Sequence, residues 1–326
     1  MVAAECDPRA DSAPTAPPVM LRQYAADSCS GRCGDNNSNY DCQCNSYCER
    51  YNDCCANYYS LCKGAQSISQ SELSNLAQEL WDNDVNRLSS SQYEINLQTK
   101  LSNYGEKVDR SSSNFFTSVN TWRLRGTFDA FQDLLDNYVL KTGTAESVSS
   151  AEGREMDTFL DDVMATTVMQ RTYSLLQTKG YFSSLEGFRD FVNNVWFTLY
   201  SRSSNRLDSS AFEHTFVGEV KNSAVSGFHN WLQFYYLEQD GRLNYYGYVR
   251  EANPNQILLQ FSVDGYVKTL SSIMLGVSPE FELALYSVCF VSQPNSLCRF
   301  DLEGNEVQIQ TYDYTGGYIG SAYFNV

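Results

Sequence analysis

Apolar residues along this chain change their spacing twice, and those changes divide it into stretches of different character. Residues 1–28 carry Pro8, Pro14, Pro17 and Pro18 among Ala, Ser, Thr and Asp. Such a stretch buries too little apolar surface to order itself, so a flexible leader is expected. After a cysteine-dense segment and a short linker at 63–68, Ser69-Gln-Ser-Glu72 sets a hydroxyl and a carboxylate three residues apart, the pattern of a helix cap. Leu73, Leu76, Ala77, Leu80 and Trp81 then recur at helical spacing, predicting a helix. From 82 to 113 the pattern dissolves into Asn, Ser and Asp, which predicts loops with at most a short helix around Gln98.

Helical spacing resumes at Phe128, Phe131, Leu135 and Tyr138, and again from Met156, Phe159, Leu160, Val163 and Met164 toward Leu176. A second cap, Ser183-Ser-Leu-Glu186, precedes Leu185, Phe188, Val192, Val195, Trp196 and Leu199, predicting a further helix. From Phe212 onward the period shortens to two, punctuated by turn signals at 239–242, Asp264-Gly265, 293–296 and 303–305. An antiparallel β meander is predicted there. Helices first and strands afterwards make the fold class α+β, with a helical lobe buttressing a β lobe.

The meander opens on residues 211–221 and 227–238, which flank a turn-like stretch at 222–227 and read as a hairpin. These flanks hold the only two histidines of the 326 residues, His214 and His229. A hairpin brings them together, and histidine is the side chain whose unperturbed pKa, about 6.5, lets it exchange protons near neutrality. Spacing alone favours the plainer reading, in which His214 shares a buried face with Phe212 and Phe216 and His229 only neighbours Trp231.

Composition narrows the class. With 42% hydrophobic residues the chain can bury a substantial core, and a net charge of −16 argues against broad electrostatic adhesion to nucleic acid. Any polyanion site must therefore be small and local. No run approaches the roughly 20 apolar residues of a membrane span. The first four residues lack the charged start and apolar core of a signal peptide, so the chain reads as a mature form.

Eight of the eleven cysteines fall between Cys29 and Cys62, with few aliphatic residues among them. That density describes a module held by disulfides in an oxidising compartment, although eight cysteines leave 105 connectivities open. Cys6 reads equally as a free thiol, an intermolecular link or the remnant of a lost partner. Asn36-Asn37-Ser38 matches a glycan acceptor triplet. Cys289 and Cys298 stand on either side of the Gln293-Pro294 bend, where two strands of one hairpin would let them face each other.

The run Cys29, Cys33, Cys42, Cys44, Cys48, the adjacent Cys54-Cys55, and Cys62 resembles the somatomedin B domain, whose eight positions are all filled. The resemblance implies bridges Cys29–Cys44, Cys33–Cys62, Cys42–Cys55 and Cys48–Cys54, secretion, and an extracellular protein partner.

Just past the Asp264-Gly265 turn lies Lys268. Two histidines and a lysine are the set that cleaves RNA without a metal: a base for the ribose 2′-hydroxyl, an acid for the departing 5′-oxygen and a cation for the charge on phosphorus. Phe212-Glu-His-Thr-Phe-Val-Gly-Glu219, Gly227-Phe-His-Asn-Trp231, Asp264-Gly-Tyr-Val-Lys268, Ser278-Pro-Glu-Phe-Glu282 and Tyr318-Ile-Gly-Ser-Ala-Tyr323 resemble successive blocks of the EndoU endoribonuclease family. Leu80-Trp-Asp-Asn-Asp84, Ile95-Asn-Leu-Gln98 and Leu134-Leu-Asp-Asn-Tyr138 agree with it too.

This resemblance implies that His214, His229 and Lys268 are catalytic, with His229 as base and His214 as acid, though exchanged roles would look identical in sequence. Glu213 and Glu219 match acidic positions that orient a histidine or hold an ion. Ser321 and Tyr323 fall where the family contacts uridine, with Ser in place of the commoner Thr. The implied cofactor is Mn2+ or Ca2+ without assigned ligands, the substrate single-stranded U-rich RNA, and the state a monomer. A non-catalytic scaffold that only binds proteins is the competing class, since fold does not dictate function. The expected organisation is a leader at 1–28, a somatomedin B domain at 29–65 and an EndoU domain at 66–326.

Overall fold

The computed structural model describes residues 28–326 apart from positions 36, 38, 41, 52, 204–205 and 315–316. The leader, Cys6 and two of the three residues of the glycan triplet lie outside the described residues. In the cysteine-rich module the bridges are Cys29–Cys44, Cys33–Cys62, Cys42–Cys55 and Cys48–Cys54, as the resemblance implied. They enclose two single-turn helices, α1 (Cys48–Tyr51) and α2 (Tyr58–Leu61). Tyr47 and Tyr51 are exposed on this module, whereas Tyr58 and Tyr59 are buried.

Helix α3 (Gln70–Asn83) starts where the cap predicts: the Ser69 hydroxyl accepts from Glu72 N–H and the Glu72 carboxylate accepts from Ser69 N–H at 2.9 Å. It buries the five apolar residues that recur at helical spacing. The patternless stretch that follows yields a strand, β1 (Tyr93–Ile95), paired with β2 (Phe116–Val119). No helix forms at Gln98. Its backbone is left-handed (φ 53°), and its side-chain amide instead binds the backbone of Ser112 and Ser113.

Helix α4 spans Thr127–Asp133. The long helical stretch after it is two helices, α5 (Ser150–Ala165) and α6 (Thr167–Thr178), because extended Thr166 ends one and caps the next. Helix α7 (Leu185–Phe197) is capped by Ser184, which accepts from Gly187 N–H, and not through a Ser183–Glu186 box.

The β half departs from a pure meander. Strands β3 (Glu219–Lys221), β4 (Ala224–Ser226), β5 (Leu243–Ala252), β6 (Gln256–Val263) and β7 (Tyr266–Met274) form one sheet in the order β3-β4-β7-β6-β5, with β4 parallel to β7. Strands β8 (Leu297–Leu302), β9 (Asn305–Tyr314) and β10 (Tyr318–Phe324) form a second, antiparallel sheet.

Two helices interrupt them, α8 (Trp231–Gln239) and α9 (Pro279–Ser292). The reason they escape a reading by period is burial: every residue of α9 from Pro279 to Val291 is enclosed, so it shows no polar stripe. Cys289 and Cys298 are bonded, but from α9 to β8, not across a hairpin. The lobes interlock, since α3 packs on β8 and α9 on α6. No helix among the described residues is long and apolar enough to cross a membrane.

Replacing both Cys289 and Cys298 by Ala should destabilise the fold by about 2–3 kcal/mol, the chain-entropy value for a loop of this length. A shift in denaturation midpoint below about 0.5 kcal/mol would show that α9 and β8 are held by packing alone.

Candidate active site

His214 sits on a π-helical turn, Glu213–Val217, and not on a strand. Ser210 begins the turn by accepting from Glu213 N–H with its hydroxyl and from His214 N–H with its carbonyl. Gly218 closes it, donating to Glu213 O at 2.7 Å. Phe212 and Phe216 lie four residues apart and so share one helical face. There they pack on Phe131, Phe197 and Trp196 of the helical lobe. The same alternation that suggested a strand thus serves a wide helical turn, and a π turn is a recurrent device at functional sites.

The expected hairpin exists as β3 and β4 alone, and the histidines lie just outside its ends. Phe228 N–H donates to His214 O at 2.8 Å and His229 N–H to Thr215 O at 2.7 Å, so the backbones of the two histidine segments run against each other. Gly227 (φ 67°) permits this, because a Cβ there would collide with the His214 carbonyl.

Each imidazole is held through Nδ1. His214 Nδ1 is 2.9 Å from Glu219 Oε2. His229 Nδ1 is 3.2 Å from Ser271 Oγ and 3.3 Å from Ser272 O, and Ser271 donates its own proton to Phe228 O. Acceptors at Nδ1 place the proton there, which leaves Nε2 of each ring as the nitrogen that gains and loses a proton. Both ligands of the His229 ring come from β7.

Lys268 lies on that same strand, and a bulge in its pairing with β6, where Lys268 faces Phe261 and Ser271 faces Leu259, puts Lys268 on the face of Ser271. The residue is only 5% exposed, and among the described residues its ammonium makes no hydrogen bond or salt bridge. Strand β10 packs on β7 and on the π turn, bringing Tyr323 and Ser321 to the histidines. The Tyr323 ring stacks on the His229 imidazole at 4.9 Å, so one ring face is already covered. The Ser321 hydroxyl is buried and has no hydrogen-bond partner among the described residues.

One central residue carries no signal in the sequence. Arg202, in a serine-rich stretch, reaches Glu219 Oε1 at 3.5 Å, the Tyr200 hydroxyl at 2.9 Å and the carbonyl of Gly320. It therefore ties the carboxylate behind His214 to the β-bulge that precedes Ser321. Burial alone would raise the Glu219 pKa, but the Arg202 guanidinium and the His214 imidazole outweigh it and hold Glu219 below the ordinary range. Glu213 moves the other way. Burial first, and the Glu219 carboxylate second, push it well above that range, and neither of its oxygens is hydrogen-bonded among the described residues. The two glutamates are thus pushed in opposite directions.

A second group of acids lies at the start of α9. Asp84 accepts from Ser278 N–H, Glu280 from Asn86 and Glu282 from Asn230, which itself caps α8 next to His229. Burial, then Glu280, pushes Asp84 up to about 7. Burial, only partly offset by the bond from Asn230, pushes Glu282 up to about 8.

These donors do not form a cation cage. Among the described residues, Cys29, Cys44 and Cys55 are the one set of three close potential ligands, and all three are in disulfides. Near the histidines Glu219 is already engaged by His214 and Arg202 and no set of three close oxygen ligands occurs among the described residues, so they do not fit a preformed Mn2+ or Ca2+ site.

The comparisons agree with this geometry. The family described as Endoribonuclease XendoU matches residues 72–324, and the somatomedin B domain matches residues 27–65. The chain belongs to the XendoU endoribonuclease family. Within it the chain is similar to uridylate-specific endoribonucleases from Bos taurus, 36% identical over 93% of this chain and 77% of that protein, and from Mus musculus, 38% over 94% and 80%. The Paralichthys olivaceus relative of the same name is 40% identical over 88% and 89%. A solved structure of XendoU, described as a splicing-independent snoRNA-processing endoribonuclease, superposes with a TM-score of 0.67 at 39% identity, covering 78% of this chain and 96% of that one.

The Glu282 carboxyl predicts a pH effect. A folded pKa of about 8 against an ordinary 4.5 means the folded chain keeps a proton that the unfolded chain releases, so stability declines as pH rises across that interval. Glu282→Gln, which can still accept from Asn230, should remove this decline. Its melting temperature should match the native value near pH 5 and exceed it near pH 8.5; an equal offset at both pH values would contradict the assignment.

Proposed function

We propose that the chain is a secreted endoribonuclease that cuts single-stranded RNA at uridylates, with His214, His229 and Lys268 as the catalytic groups. The observation that carries this reading is the backbone contact that holds His214 and His229 together beside β7, the strand that both orients His229 and carries Lys268. A protein-binding scaffold would have no use for two imidazoles each oriented through Nδ1, which supports the enzyme over the scaffold. The membership in an endoribonuclease family and the names of the relatives point the same way.

The chemistry follows from the ring environments. His229, held by neutral oxygens, acts as the base and takes the proton of the ribose 2′-hydroxyl at Nε2. The freed oxygen attacks phosphorus and the bond to the 5′-oxygen breaks. His214 delivers a proton to that leaving oxygen, and the Glu219 carboxylate against its Nδ1 stabilises the charged ring from which the proton comes. Lys268 meets the negative charge on the phosphoryl oxygens. The products are a 2′,3′-cyclic phosphate and a 5′-hydroxyl. The Ser321 hydroxyl reads the uracil edge, while Tyr323 sets the His229 ring and borders the base.

Glu213, buried in the π turn with its proton affinity raised, supports the turn behind His214. A divalent ion, Mn2+ or Ca2+, would act by ordering RNA against this acidic surface, and no chemical step needs it. The somatomedin B domain, a protein-interaction module, is expected to meet an extracellular protein, and the enzyme to act as a monomer. The domain limits we assign are 29–65 and 66–326.

Incubation with oligo(U) should release cyclic-phosphate ends, and a 2′-deoxyuridine analogue should stay intact, each assayed with and without Mn2+ or Ca2+. His229→Ala, His214→Ala and Lys268→Ala should each lower kcat by about 10²- to 10⁴-fold while the chain stays folded, as circular dichroism would show. Native-like kcat in any of the three, or cleavage of the deoxy analogue, would refute the mechanism.

A further inference from the structure

We infer that the somatomedin B domain is a positioning element for uridylate recognition: its inner face clamps the turn that leads into β10, the strand that carries Ser321 and Tyr323. The inference rests on the reading of Ser321 given above. Gly317, immediately before β10, has a left-handed backbone (φ 80°) and lies directly on the module. A Cβ at this position would collide with the carbonyl oxygen of Cys54 and come within 3.3 Å of Ala56 N. No side chain separates the two backbones. On the module side this backbone is itself fixed, because Cys54 is bridged to Cys48 and Cys55 to Cys42.

The residues between Gly317 and Ser321 are held from the opposite side. Tyr318 stacks on Tyr200, the Tyr200 hydroxyl donates to Ile319 O at 3.1 Å, and Arg202 donates to Gly320 O. The strand entrance is thus gripped between the module and the Tyr200–Arg202 pair, one residue short of the Ser321 hydroxyl.

A second seat sets the angle of the module. Tyr59 is buried among Phe182, Phe191 and Tyr181 with ring centroids 4.9–6.4 Å apart. Its carbonyl accepts from Ala65 N–H at 3.1 Å, just before Gln66, whose N–H, outside the module, donates to Lys179 O at 2.8 Å. Phe191 belongs to α7, which also packs on β10, so the module reaches the recognition strand both directly and through this helix. The catalytic groups take no part in either seat. Loosening the module therefore acts first on the base-reading hydroxyl and reaches the proton-transfer groups only at second hand, through Tyr323 and Arg202; displacements of about 1 Å are enough to impair a site.

The test uses the full chain with Tyr59→Ser, Tyr59→Phe, Gly317→Val and Ser321→Ala, read by kcat and KM on oligo(U), by the ratio of cleavage after uridine to cleavage after cytidine, and by hydrogen exchange at residues 54–62. Tyr59→Ser and Gly317→Val should raise exchange, raise KM about tenfold and lower the uridine preference to a similar degree, with kcat held within about threefold. Tyr59→Phe, which keeps the ring, should behave as native. If Gly317→Val does not fold, the two Tyr59 variants decide alone. Faster exchange with unchanged KM and preference would overturn the proposal, as would unchanged exchange in both loosening variants or a fall in kcat at constant KM. Ser321→Ala separates the two readings: if it leaves KM and preference as they were, the recognition role of β10 fails by itself and the clamp has nothing to position.

Discussion

The ion pair of Arg202 with Glu219, buried behind His214, is the constraint on which the site depends. A carboxylate taken out of water is tolerated only when charge and hydrogen bonds surround it, and Glu219 has a guanidinium on one oxygen and an imidazole on the other. Its depressed pKa follows from these two neighbours. Because the same guanidinium grips the carbonyl of Gly320, His214 and strand β10 share one anchor. Arg202 belongs to no regular element, so its precision comes from stacking against Tyr200 and Tyr314 and not from a helix or strand.

Around that anchor the fold pushes like groups in opposite directions. Glu213 and Glu219 lie six residues apart and are both fully buried, yet the affinity of one for its proton is raised and that of the other lowered. Environments that split like groups are a common feature of proton-transfer sites. The acids at the start of α9 repeat the theme at a distance, with Glu282 bonded to the asparagine that caps the helix beside His229. The overall negative charge of the chain is compatible with the small, local polyanion site we propose, because Lys268 on β7 supplies a cation there without a basic face.

Much of this architecture was legible from residue order. The cap at Ser69, the core stripe of α3, the Asp264-Gly265 hairpin and the eight-cysteine framework are local or covalent patterns, and each appears as read. The candidate trio was legible through motif resemblance, while period alone misassigned its setting. Phe212-x-His214-x-Phe216 satisfies a strand as well as a π turn, and only the aromatic pocket of the helical lobe selects the latter. Helix α9 was lost because enclosure on every side removes the polar face by which a helix announces itself.

Residue order by itself determined which groups are present for chemistry: two histidines, one well-placed lysine, and a module that cysteines must hold, since those are properties of side chains and short spacings. Tertiary structure alone decided which of them are charged, which nitrogen of each ring is bound, and what stands behind them. Arg202 meets Glu219 across 17 residues and Gly320 across 118, and Gly317 meets Cys54 across 263. Contacts of that range depend on how packed elements close on one another, and burial, which sets the charge of each carboxyl, exists only once they have.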